Sequence, residues 1–139
     1  MAETHRLSLH QAEPPEAKAN MKRVILESPF AGDVERNIRY ARACVRDSLL
    51  RGEAPIASHL LYTQDGILND DVPAERKHGI DAGLAWRHVS DGTVVYTDFG
   101  ISRGMQYGID AATSAGKTVE LRNLPAEVLA RVNGETALA

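Results

Sequence analysis

Val24-Ile25-Leu26 is a short apolar run set between Lys22-Arg23 and Glu27, a pattern that suits a strand buried on both faces. Ser28-Pro29-Phe30-Ala31-Gly32 breaks it, and Asp33 is a good helix N-cap. Val34, Ile38, Ala41, Val45 and Leu49 then recur every three or four residues, which predicts an amphipathic helix ending near Gly52. Ala54 to Ser58 reads as a second, short strand with Pro55 at its start. His59 to Thr63 follows, then a polar loop from Gln64 to Asp71. A second helix is expected from about Pro73 to His88, with Ile80, Leu84 and Val89 facing inward. Gly79 and Gly83 weaken that helix but let it approach a neighbour closely.

Gly92 to Thr97 is the clearest strand, β-branched and opened by Asp91-Gly92. Asp98 closes it, and Gly100 to Gly104 forms a glycine-punctuated turn. A third helix is expected over Arg103 to Ala115, stopped by Gly116. Thr118 to Leu121 is the last strand, and Pro125 to Val132 a final short helix. Met1 to Asn20 is polar, carries Pro14-Pro15 and has no apolar period, so residues 1–20 read as a flexible arm and 21–139 as a single α/β domain.

Strands alternating with helices predict a three-layer, flavodoxin-like or Rossmann-like domain: a mostly parallel sheet of four to five strands with helices on both faces. In such sheets ligands bind outside the carboxyl ends of the strands, where the winding reverses. That rule selects three segments: Glu27 to Gly32, Ser58 to Thr63, and Asp98 to Gly104.

The 139 residues are 43% hydrophobic and 25% charged, ordinary for one globular domain with its own core. A net charge of −3 gives no general attraction to a nucleic acid polymer. No apolar run approaches a membrane span, and the N-terminus lacks the order of a signal peptide. The single cysteine, Cys44, excludes an intrachain disulfide and a cysteine zinc site. It is expected to pack as a small hydrophobe, and a reducing, cytoplasmic setting is the simplest expectation. His5, His10, His78 and His88 share no ligand spacing with one another or with carboxylates, so neither a metal nor another cofactor is expected.

Ser28-Pro29-Phe30 joins a strand to a helix, where backbone amides and the helix N-terminus offer donors to an anion. Phe30 suits stacking on a base. Asp98, at the end of a buried strand, suits hydrogen bonds from ligand hydroxyls. Gly100, Ser102 and Gly104 permit close approach of a phosphate or ribose, and Arg103 suits a phosphate. His59, after the second strand, is the histidine expected to face the pocket. Asn37 and Tyr40 on the first helix, and Gln106 and Tyr107 on the third, are weaker candidates. Asp70, Asp71 and Glu75 suit capping or a lid.

These segments together resemble the nucleoside 2-deoxyribosyltransferase-like superfamily and its small phage and bacterial relatives, over roughly Arg23 to Leu124. The likeness lies in Ser28-Pro29-Phe30, in Asp98 followed by Gly100-Ile101-Ser102-Arg103-Gly104, and in Gly116-Lys117-Thr118-Val119. The resemblance implies a nucleoside or nucleotide ligand and a homo-oligomer that completes its pockets from a neighbour, with the helix carrying Gly79, Gly83 and Trp86 as the expected interface. Catalytic members carry a nucleophilic glutamate eight residues before the glycine that matches Gly116. Here that position is Gly108, and Asp110 lies on another side of the helix.

The leading expectation is therefore a ribosyl-ligand binding domain without transfer chemistry, sensing or sequestering a nucleotide signal. The alternatives are an N-glycosidic hydrolase or transferase in which Asp98 and Glu27 form a rearranged acid set, and a structural subunit of an assembly.

Overall fold

The computed structural model describes residues 21–134. Four strands form one sheet: β1 (Arg23–Glu27), β2 (Ala54–Ile56), β3 (Gly92–Tyr96) and β4 (Thr118–Arg122). The helices are α1 (Val34–Leu50), α2 (Ser58–Leu61), α3 (Pro73–Val89), α4 (Arg103–Ser114) and α5 (Ala126–Val132). The strand order is β2-β1-β3-β4 and every pairing is parallel. The expected three-layer α/β fold is what the chain adopts, at the lower end of the expected strand number among the described residues. The chain winds from β1 to β2, then crosses back to β3 on the other side, so the reversal falls between β1 and β3.

Local chemistry sets the boundaries. Asp33 caps α1 by accepting from the Arg36 amide at 3.2 Å, and Ser102 caps α4 by accepting from the Met105 amide at 3.3 Å. Pro73 opens α3, where its missing N–H costs nothing. Pro55 sits in β2, an edge strand with a partner on one side only. The second strand is shorter than its sequence suggests. Leu60 and Leu61 donate to the Ala57 carbonyl and Tyr62 donates to that of Ser58, so Ser58 begins a helical turn instead of ending a strand.

Strand alternation divides the interior into two layers. Val24 and Leu26 of β1 and Val94 and Tyr96 of β3 pack with Tyr40 and Cys44 of α1, with Leu124, and with Val132 of α5. Cys44 is buried there, as expected. On the same side Arg122, 4% exposed, donates to Glu53 and to Glu120, and holds the Glu53 carboxyl below its ordinary range. The opposite side receives Ile25, Glu27, Thr93 and Val95, and is covered by α3 and α4. Here the layers differ: α3 buries only Arg87, whereas α4 buries Met105, Gly108 and Ala112. Among the described residues no helix is long and apolar enough to cross a membrane, and no cluster of histidine, cysteine and acidic groups suits a metal.

The carboxyl end of β3 is locked by Asp98. Its Oδ2 accepts from the Tyr40 hydroxyl at 2.6 Å and from the Leu124 amide at 3.0 Å, while the Asp98 amide donates back to the Tyr40 oxygen at 3.0 Å. One carboxylate thus joins β3, α1 and the segment leading into α5. Tyr40→Phe leaves the half-buried carboxylate short of a donor, and a hydrogen bond to a charged group contributes about 1.5–3 kcal/mol. Urea unfolding is expected to show a loss of that size, with Leu124→Ala, which keeps the amide, destabilising by loss of packing instead.

Candidate ligand site

Between α3 and α4, above the end of β1, lies a hollow of about 690 Å³. Its existence follows from α3, which rests on α2 and the loop before it instead of pressing an apolar stripe on the sheet. Gly79 and Gly83 make that seating possible. A Cβ at Gly83 would come within 2.9 Å of the Ser58 hydroxyl, and one at Gly79 would meet Leu68 at 3.4 Å. The close approach expected from this glycine pair is thus made within the chain, to α2 and its loop. Trp86 stays 45% exposed and donates from Nε1 to the Tyr62 hydroxyl at 2.8 Å.

The first and second expected segments meet in this hollow: Glu27, Ser28, Phe30 and His59 all line it. From the third, Ser102, Arg103 and Gly104 line it as well, at the N-terminus of α4. Pro29, Asp98 and Gly100 are not among its walls. Asp98, expected as a catalytic acid, has its carboxylate occupied by Tyr40 and Leu124. Asn37 and Tyr40 do structural work: Asn37 donates to the carbonyls of Phe30 and Ala31 at 2.9 and 3.1 Å and so shapes the turn after β1. Tyr107 lines the hollow; Asp70 and Glu75 stand at its wall, with Arg76 paired to Asp70 at 3.4 Å.

Glu27 forms the centre of the site. Its side chain is 15% exposed, and Oε2 accepts from Nη2 of Arg87 at 3.1 Å. Arg87 also donates from Nη1 to the Thr93 hydroxyl at 2.8 Å, while its buried Nε has no partner among the described residues. Across from the arginine stands Gly108 of α4. A Cβ built there would overlap the Glu27 carboxyl group, so the carboxylate fills the space where a side chain at 108 would begin. Burial raises the Glu27 carboxyl to about 7, an effect that the Arg87 hydrogen bond and charge only partly offset.

A second polar pair lies beside it. The Ser28 hydroxyl and His59 Nε2 are 2.6 Å apart, and burial depresses His59 to about 4, so its ring is neutral at ordinary pH. Arg87 was not singled out from sequence, whereas Gly108 was, as the place of a missing glutamate. Arg87 continues the Ile80, Gly83, Leu84 spacing of the inner face of α3, and a charged residue on that stripe was the available signal. For Gly108 the missing glutamate was legible, but not that Glu27 would occupy its place.

The two titrating groups act on stability with opposite signs. The Glu27 carboxyl binds its proton more tightly when folded, so its contribution is lost as pH rises from about 4.5 to about 7. His59 binds its proton less tightly when folded, so its contribution grows as pH rises from about 4 to about 6.5. Each is worth at most about 3 kcal/mol. Between pH 4.5 and 6.5 the wild-type dependence from this pair is therefore nearly flat. Urea unfolding across that window is expected to show stability rising with pH in Glu27→Gln and falling with pH in His59→Gln; parallel profiles for all three proteins would contradict the assignment.

Among known families, the one described as a domain of unknown function (DUF7768) matches residues 22–122, from the start of β1 to the end of β4. No curated protein matches the chain.

Proposed function

From the premise that the chain belongs to the domain-of-unknown-function family DUF7768, we propose that its hollow binds a nucleoside, nucleotide or related ribosyl ligand, and that Glu27 acts on the ligand's N-glycosidic bond. The observation that carries this reading is the overlap between the Glu27 carboxyl and the position of a Cβ at Gly108. The resemblance to deoxyribosyltransferase-like proteins puts a glutamate on the helix at 108. In this chain a carboxylate reaches the same space from the end of β1. The acid set is rearranged by moving the group from helix to strand.

The remaining walls suit the parts of such a ligand. Phe30 offers a face to a base, and the N-terminal turn of α4 with Arg103 offers positive charge to a phosphate. As a general base, ionised Glu27 takes a proton from water while the water oxygen bonds to the anomeric carbon. The electrons of the broken carbon–nitrogen bond leave with the base, which is protonated by solvent. A carboxyl near pH 7 suits this proton traffic at neutral pH. Self-association and a cytoplasmic setting belong to the same reading, and the exposed Ile80, Trp86 and Val89 of α3 offer an apolar surface for the former.

The ion pair with Arg87 favours a second reading, binding without cleavage, because a carboxylate already engaged by a guanidinium is a weaker base or nucleophile. A panel of nucleosides and nucleotides separates the two, with thermal shift reporting binding and chromatography reporting free base. The expected result is a raised melting temperature together with base release. Release should fall by about 10²–10⁴-fold in Glu27→Gln while the thermal shift persists. Gly108→Ala, which displaces the carboxylate, should also reduce release. A shift without release selects binding alone, and no shift with any compound overturns both readings and leaves a structural role in an assembly.

A further inference from the structure

The Ser28–His59 pair is not used by the chemistry assigned to Glu27, and its geometry carries a function of its own. The two side chains sit on separate elements, the turn after β1 and helix α2, yet converge to 2.6 Å on the wall of one hollow. That separation is within the reach of a nucleophile–base hydrogen bond, and the pair lines a space large enough for a small ligand. Ser28 lies on a strand-to-helix turn whose carbonyls at Phe30 and Ala31 are taken by Asn37. The amide N–H groups of the same two residues meet no acceptor among the described residues. Both residues line the hollow, two and three positions after Ser28.

We propose that Ser28 is a nucleophile activated by His59, and that the hollow accepts small carboxylic esters and other acyl donors. With the imidazole proton on Nδ1, Nε2 accepts the Ser28 proton as Oγ bonds to the carbonyl carbon. The carbonyl π electrons move to oxygen beside the Phe30 and Ala31 amides. When they return, the bond to the leaving oxygen breaks, that oxygen takes the proton from Nε2, and the acyl group remains on Ser28. Water then repeats the sequence and frees the acid. The pair has no carboxylate orienting Nδ1 among the described hydrogen bonds, so acylation and deacylation should both be slower than in a full triad.

The test needs no nucleoside and stands or falls apart from the reading of Glu27. Full-length protein is treated with diisopropyl fluorophosphate and, separately, with p-nitrophenyl acetate, and the modified residue is mapped by peptide mass spectrometry. In the first reaction Oγ bonds to phosphorus, fluoride leaves and His59 takes the proton. The expected result is one adduct, on Ser28, absent in Ser28→Ala and formed at least about tenfold more slowly in His59→Gln. The labelling rate of the wild-type protein should rise through about pH 4, where His59 loses its proton, far below an ordinary histidine. Glu27, Arg87, Asp70, Glu75, Arg76 and Arg103 share the hollow, and any smaller inflection near pH 7 belongs to Glu27. Should His59→Gln not fold, that pH profile decides alone. No adduct, an adduct elsewhere, or a rate that only follows hydroxide concentration overturns the proposal.

Discussion

A carboxylate at the end of a central parallel strand has to be stabilised by something other than bulk water. Around Glu27 the protein supplies one guanidinium and one missing side chain. Arg87 reaches it from α3 and Gly108 makes room for it under α4. The two helices over this face are therefore spaced by a polar group instead of by interlocking apolar side chains. Arg87 is the only residue α3 buries, and the hollow is the volume that an ordinary helix–sheet contact would have filled. The other face, with Tyr40, Cys44, Leu26 and Val94, carries the continuous apolar core.

That division of labour also places the site. The strand order reverses between β1 and β3, the location where a doubly wound sheet opens a crevice. The β3 side of the crevice is closed by Asp98, whose carboxylate is spent on Tyr40 and Leu124. On the β1 side Asn37 holds the turn after Ser28 by its carbonyls, and the Phe30 and Ala31 amides meet no acceptor among the described residues. Two acids end two adjacent strands, one serving the fold and the other facing the hollow.

The fold was legible because each element is written in local chemistry: apolar runs for β1 and β3, a three-to-four spacing for α1, and Asp33, Ser102 and Pro73 at helix starts. The switch-point rule likewise selected segments from which Glu27, Ser28, Phe30, His59 and the Ser102–Gly104 turn come together around one hollow. It could not distinguish Glu27 from Asp98, because both are acids at strand ends and only distant neighbours decide which one is satisfied: Arg87, sixty positions from Glu27, and Tyr40, fifty-eight from Asp98. Gly108 shows the same limit. A glycine in a helix announces a close approach but not what approaches it.

Selective ¹³C labelling of glutamate carboxyls, with Glu27→Gln to assign the resonance, follows the Glu27 titration itself. The expected midpoint is near 7, set by burial and only partly relieved by Arg87. A midpoint near the ordinary glutamate value of about 4.5 would mean that the carboxylate is hydrated, that the contact with α4 does not form, and that the site described here is not the one the protein possesses.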